Sequence, residues 1–202
     1  MILRKEAVVH AEDPFESFTA LFAKARASGI RDPEAMTLST VDAAGRPWSR
    51  VVLMKSFDDH GFVFYTNLES RKGRQIAAEP RVCLSFFWRE LHAQAIIGGL
   101  AEPVSDEEAD AYFATRPRTS QLGAWASRQS RPLSSRGRLV ADVAGLEARY
   151  LGRPVPRPPH WSGFRVVPDF FEIWNGGAFR LHDRTVYHLQ ADGSWDHERL
   201  YP

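Results

Sequence analysis

The run Tyr65-Thr66-Asn67-Leu68-Glu69-Ser70-Arg71-Lys72-Gly73-Arg74 gathers hydroxyls and three cations directly after the apolar stretch Gly61-Phe62-Val63-Phe64. The apolar stretch reads as a strand, and Ser70 fits the N-cap of a following helix. Arg71 and Lys72 then fall in the first helical turn, where cations oppose the helix dipole and a nearby anion relieves the conflict. A phosphate held by Thr66, Ser70 and the cations is one reading. A solvated basic helix start is the other.

Three further clusters raise the same question. In "SRVVLMK", Arg50 and Lys55 differ in parity along a strand and should point to opposite faces. Lys55 alone is more easily a strand-end charge than a ligand. In "YFATRPRTSQLGAW", Tyr112 and Arg116 are spaced to share a helix face, and Ser120 follows just beyond the stop at Pro117. They suit a second phosphate or a surface Tyr–Arg stack. In "WNGGAFRLHDR", Trp174 precedes a Gly-Gly turn, and Arg180, His182 and Arg184 alternate along what reads as one strand face. Three such groups side by side repel unless something anionic faces them, an exposed hairpin being the other reading. Gln129 and Ser130 in "SRQS" could donate to a phosphate or a ring carbonyl. No paired carboxylates, Ser-His-Asp order, metal cluster, G-x-G-x-x-G or Walker-type loop is evident. That profile suits chemistry done by a cofactor, with one phosphate on the cofactor and one on the substrate.

The elements that must position these groups can be read from periodicity. "DPFESFTALFAKARASG" is expected to be a helix capped by Asp13, with Pro14 in its first turn and Phe15, Phe18, Leu21 and Phe22 on its apolar face. "MTLSTVDAAGRPWSRVVLMKSFD" reads as two strands around a turn, "GFVFYTN" as a third, and "RVCLSFFW" with "AQAIIGGLAEPV" as a further pair. "SRKGRQIAAEP" should be a short helix and "SDEEADAYFATRP" a helix with the capping box Ser105–Glu108. "SQLGAWASRQS" reads as a helix or turn, "SSRGRLVADVAGLEARYLG" as an amphipathic helix and "RPVPRPP" as a stiff connector. The C-terminal part reads as three short strands. Many short strands with helices between them point to an antiparallel barrel rather than a doubly wound parallel sheet. Residues 1–13 lack periodicity and are expected to form a mobile arm before one domain over 14–202.

The bulk properties are those of an ordinary globular chain. It has 202 residues, 44% hydrophobic and 25% charged, with a formal net charge of +1. No global field favours nucleic acid or membrane. Only Lys5, Lys24, Lys55 and Lys72 are lysines among 26 cations; the arginine excess suits bidentate phosphate binding, though base composition of the coding sequence explains it as well. Cys83 stands alone and is expected to be a buried core thiol. No apolar stretch is long enough to span a bilayer, so a soluble, cytoplasmic protein is expected.

In this order, "RVVLMK", "FYTNLESRKGRQI", "YFATRPRTSQLGAWASRQS", "EIWNGGAFRLHDR" and the final "RLYP" resemble the pyridoxine/pyridoxamine 5'-phosphate oxidase family. The resemblance runs from about Pro14 to Pro202. It implies an α+β fold, an antiparallel, Greek-key-like split β-barrel with surrounding helices. It also implies a homodimer that binds FMN at the subunit interface. Carried over, it assigns Arg50, Val51, Val52, Leu53, Met54, Lys55, Tyr65, Thr66, Arg71, Lys72, Gln94, Gln129, Ser130, Trp174 and Arg184 to FMN, some from the second chain. It assigns Lys55, Tyr112, Arg116 and Ser120 to the substrate phosphate, and Arg180, Leu181 and His182 to the substrate ring. Arg180 and His182 are the implied catalytic pair. The implied reaction oxidises pyridoxamine or pyridoxine 5'-phosphate to pyridoxal 5'-phosphate, with O2 as final acceptor and no metal. The family's N-terminal Arg-x-x-Tyr segment has no counterpart in "ILRKEAVVH". Two other readings stand beside this one: an oxidase of another reduced aromatic such as a phenazine precursor, and a non-catalytic flavin or pyridoxal phosphate carrier.

Overall fold

A computed structural model of the chain describes residues 11–202. Most of the expected arm over 1–13 therefore lies outside the described residues. Ala11 is tied down: its N–H donates to Ser17 Oγ and its carbonyl accepts from Tyr187 Oη, each at 3.1 Å. Helix α1, Pro14–Ala27, starts as expected, with the Asp13 side chain accepting from Phe15 N.

Among the described residues nine strands form one antiparallel sheet: β1 Ala35–Val41, β2 Pro47–Leu53, β3 Ser56–Asp58, β4 Gly61–Asn67, β5 Arg81–Trp88, β6 Ala93–Pro103, β7 Trp161–Asn175, β8 Asp183–Leu189 and β9 Trp195–Leu200. The spatial order is β2-β1-β5-β6-β7-β4-β3, with β8 and β9 continuing from β7. Inward residues alternate along the strands as the pleat requires, with Met36, Leu38, Leu84, Phe86, Ala95, Ile97, Phe171 and Ile173 all buried. Phe18 of α1 touches Phe62 of β4 and Phe86 of β5 in edge-to-face contacts, at 4.9 and 5.2 Å. Those strands are separated by β6 and β7, so the sheet must curl around α1 into a split barrel. Roughly 1.5–3 kcal/mol per fully buried large side chain makes this aromatic cluster a main source of stability.

Three expectations about elements are corrected. The C-terminal part is not three short strands: β7 runs for 15 residues. Pro168 stands opposite Gly99 beside a bulge, where the register with β6 shifts and leaves Asp169 unpaired, and on its other side it falls between the end of the β4 pairing at Val166 and the start of the β8 pairing at Phe170. A separate strand, β3, occupies "SFD". Cys83 is half-buried on the sheet face opposite the core, since β5 buries the alternate residues Val82, Leu84 and Phe86.

The helices α2 (Arg71–Ala78), α3 (Asp106–Thr115), α4 (Arg118–Ala126) and α5 (Arg136–Arg149) lie between the strands. Phe113 of α3, Leu122 of α4, Val155 and Trp161 form a second, smaller core. It fixes α3 and α4 beside the C-terminal end of β4, where the first cationic cluster sits.

Candidate active site

The end of β4 leads through Ser70 into α2. Ser70 is fully buried and its Oγ accepts from Gly73 N, so the cap forms as read. The first turn of α2 contains no acidic residue. Lys72 folds back, and its Nζ donates to Thr66 Oγ1 and Gln129 Oε1, both at 3.0 Å. Arg71 N donates to Ser130 Oγ at 3.1 Å. The Arg71 guanidinium lies 4.2 Å from the Trp48 ring, and Trp48 Nε1 donates to Asp42 Oδ2.

Strand β2 delivers Arg50 to the same place. The parity argument that set Arg50 and Lys55 on opposite faces fails because β2 ends at Leu53, and the backbone turns before Lys55. Both residues line one cavity of about 540 Å³. Its wall also contains Val51, Val52, Leu53, Tyr65, Thr66, Lys72, Arg116, Ser120 and Gln129. Met54 turns its side chain into the core instead. Ser120 follows the end of α3, as read, and sits in the first turn of α4, which begins at Arg118. Tyr112 stacks on Tyr65 at 4.0 Å, and Arg116 lies over Trp161 at 4.6 Å.

The electrostatics of the cavity are one-sided. Its cations Arg50, Lys55, Lys72 and Arg116, and Arg71 outside its wall, form no ion pair among the described residues. Burial, then the charge of Arg71, pulls the Arg50 pKa down; burial, then Arg50, does the same to Lys72. Burial also depresses Arg116, whose Nη1 is buried with no hydrogen-bond partner among the described residues. Tyr65 is pushed up to about 12, mainly by burial and then by Glu108, which accepts its hydroxyl at 3.3 Å. Unpaired, partly desolvated cations of this kind cost free energy unless an anion joins them.

A second group of expected residues lies elsewhere on the chain. Gln94, Trp174 and Arg184 stand in register across β6, β7 and β8, and none lines the cavity. Gln94 Nε2 donates to Ser85 Oγ, and Arg184 Nε donates to Glu172 Oε1 at 2.8 Å. The expected shared strand face of Arg180, His182 and Arg184 is corrected. β8 begins at Asp183, and Arg180 sits in a 3-10 turn, Ala178–Arg180, with φ values of +56° and +64° at Phe179 and Arg180. Gly177 allows this turn, since a Cβ there would meet the Leu181 carbonyl at 1.7 Å. His182 Nδ1 accepts from Gly177 N at 3.1 Å, which places the proton of the neutral ring on Nε2, and the ring packs on Trp174 at 4.8 Å. Arg180 and Leu181 are exposed. Backbone held at positive φ beside charged groups is often a feature of a functional loop.

Sequence reasoning missed Asn67, Ser127 and Trp161 in the cavity wall. It also missed Thr40, Gln75 and Trp48, which hold the cations in place. Trp161 follows a proline-rich connector, and nothing in its local pattern places it beside Arg116.

A curled antiparallel sheet with an unneutralised cationic cavity at the end of a strand–cap–helix junction defines a binder of phosphorylated ligands. Comparison with known proteins narrows the class. Residues 22–150 match the family model described as pyridoxamine 5'-phosphate oxidase, and 161–202 the pyridoxine 5'-phosphate oxidase C-terminal dimerisation region. A pyridoxine/pyridoxamine 5'-phosphate oxidase of Myxococcus xanthus (strain DK1622) is 55% identical over 190 residues, covering 94% of this chain and 92% of that one. One from Azorhizobium caulinodans is 53% identical over 193 residues, covering 95% and 91%. The crystal structure of PhzG from Burkholderia lata 383, in complex with tetrahydrophenazine-1-carboxylic acid, superposes with a TM-score of 0.91 at 34% identity, covering 96% of this chain and 95% of that one. The chain belongs to the pyridoxine/pyridoxamine 5'-phosphate oxidase family, flavoprotein oxidoreductases with FMN as cofactor.

The residues present fit the phosphate of such a cofactor. Arg50, Thr66, Lys72 and the start of α2 offer charge and donors, and among the described residues no carboxylate lines the cavity to compete. Arg116, whose buried nitrogen has no partner among the described residues, lines the same cavity as Ser120 and Lys55.

Proposed function

We propose that this chain oxidises pyridoxamine or pyridoxine 5'-phosphate to pyridoxal 5'-phosphate. The observation that carries the reading is the pair of cation sets on one cavity, Arg50 with Lys72 and Lys55 with Arg116, without an ion-paired carboxylate among the described residues. FMN held by these residues would supply a two-electron acceptor for the C4' hydride, with O2 as the final oxidant and hydrogen peroxide as its product; the alcohol would lose its hydroxyl proton to give the aldehyde directly, and the amine would give an imine that water hydrolyses with release of ammonia.

The residues of the chain bind and orient. Arg50, Thr66, Lys72 and the amide end of α2 hold the flavin phosphate, with Gln129 and Ser130 beside it. Val51, Val52, Leu53 and Tyr65 line the cofactor's length. Lys55, Arg116 and Ser120 clamp the substrate phosphate, with Tyr112 supporting Tyr65. Binding energy far from the reacting carbon is thereby spent on holding the ring in a near-attack position. Gln94, Trp174, Arg180, Leu181, His182 and Arg184 complete the site from the second chain of a homodimer. This accounts for their absence from the cavity of a single chain, and for the C-terminal region's match to a dimerisation model. Residues 14–202 act as one unit in this reading.

The test is anaerobic mixing of the FMN-loaded protein with each B6 phosphate while the flavin absorbance is recorded. Bleaching that reverses on admitting air supports the proposal. A flavin that stays oxidised with both, but bleaches with a reduced phenazine precursor, moves the chain to the reaction suggested by its likeness to PhzG. Within the proposal, Arg180→Ala should lower turnover far more than FMN affinity, and equal losses would remove Arg180 from its role at the substrate ring.

A further inference from the structure

Arg50 is held by three acceptors, and none of them is charged. Its Nη1 donates to the Leu38 carbonyl at 3.1 Å and to Thr40 Oγ1 at 2.7 Å; its Nη2 donates to Gln75 Oε1 at 3.1 Å. Thr40 Oγ1 in turn donates to Gln75 Oε1 at 2.7 Å. A guanidinium can only donate, so the Gln75 atom facing it must be the oxygen. Thr40 and Gln75 are both buried, and neither lines the cavity. An arginine in such a place is ordinarily neutralised by a carboxylate, the stronger and commoner partner. Here a glutamine occupies a position where glutamate would fit with the same shape.

We infer that Gln75, locked by Thr40, is a positioning residue that fixes the Arg50 guanidinium while leaving its full positive charge for the incoming phosphate. The inference rests on the proposed FMN reading. The cost falls on the empty protein, in which Arg50, Lys72 and Arg71 face one another uncompensated; burial and mutual repulsion both depress the first two. The gain comes when a dianion enters a site whose donors are already aimed.

The experiment compares wild type, Gln75→Glu and Gln75→Met as purified apoproteins. It reads the dissociation constant for FMN by flavin fluorescence and the melting temperature without FMN. Gln75→Glu keeps the acceptor and the shape but neutralises Arg50. FMN binding should weaken roughly ten- to hundredfold, the worth of one charge-assisted phosphate contact. The apoprotein should melt no lower than wild type, because repulsion among the cations is relieved. Gln75→Met keeps the charge and loses the acceptor. It should melt lower yet bind FMN more tightly than Gln75→Glu. The glutamate effect should vanish in an Arg50→Met background, as required of two coupled groups.

A merely structural Gln75 would make affinity follow melting temperature across the variants, and that result overturns the inference. Unchanged FMN affinity in Gln75→Glu overturns it also, while leaving the FMN reading intact. Failure of wild type to bind FMN overturns the reading itself, and the inference with it.

Discussion

At the scale of single residues, the site is built from cations that the fold has partly desolvated and left without carboxylates. Arg116 is the clearest case. Its buried Nη1 lacks a partner among the described residues, a defect worth on the order of 1–3 kcal/mol. Arg116→Met should therefore raise the Michaelis constant for the phosphorylated substrate roughly ten- to hundredfold. It should leave the melting temperature of the apoprotein unchanged or higher, despite losing the stack on Trp161. A fall in both would make Arg116 a structural residue. Lys72 gives a pH signature. Its folded pKa lies below the unfolded value, so between the two the unfolded chain binds more protons and stability rises with pH. Tyr65 works in the opposite sense: its folded pKa, about 12, exceeds the unfolded value, and its contribution falls as pH climbs past 10. Comparing apoprotein with apo Lys72→Met cancels the tyrosine. The wild type should gain stability relative to the variant as pH is raised toward 10.5, and equal slopes would show that Lys72 is not desolvated in solution.

At the scale of elements, two junctions matter. The β4–Ser70–α2 junction was legible because capping chemistry is local: a serine, then a helix, then cations in the first turn. The β6–β7 pair was not, because a bulge depends on what two distant strands do to each other. Gly99 sits where a Cβ would lie 2.1 Å from the Val167 carbonyl, opposite Pro168. Gly99→Ala should cost about 2–4 kcal/mol of unfolding free energy, seen as a lower urea midpoint, because the clash is with backbone that cannot move aside. A loss below 0.5 kcal/mol, the range of ordinary surface changes, would show that the bulge adapts freely.

At the scale of the whole molecule, the proposed reaction draws on groups that one chain does not bring together. The cavity holds the cations Arg50, Lys55, Lys72 and Arg116, while Trp174 at the end of β7 and Arg180 and His182 in the turn before β8 do not line it. The outer face of the sheet shows Phe87 at 62% and Leu100 at 43% exposure, with half-buried Ile96 and Cys83 on the same face. An apolar face of this kind suits a self-complementary interface, in keeping with the dimerisation region over 161–202. If each site draws on both chains, Lys72→Met and Arg180→Ala are inactive alone for different reasons. Unfolded together and refolded, they should recover about a quarter of wild-type activity, since half the dimers would be mixed with one intact site each. No recovery would place all the groups of a site on one chain.

Local and periodic signals were enough for α1 with its Asp13 cap and aromatic face, the alternating strands and the capped start of α2, and long motifs in order were enough for the family resemblance. Parity misled wherever a strand ended sooner than its pattern. Lys55 joined Arg50 because β2 stops at Leu53, and Arg180 left the face of Arg184 because Gly177 and two left-handed residues open a turn. That Gln75, Thr40 and Leu38 hold Arg50, that Trp48 backs Arg71 and that Trp161 backs Arg116 emerges only when the chain has folded. Those partners come from different strands and helices, and no spacing along a chain encodes which side chains a curled sheet will bring within 3 Å of one another.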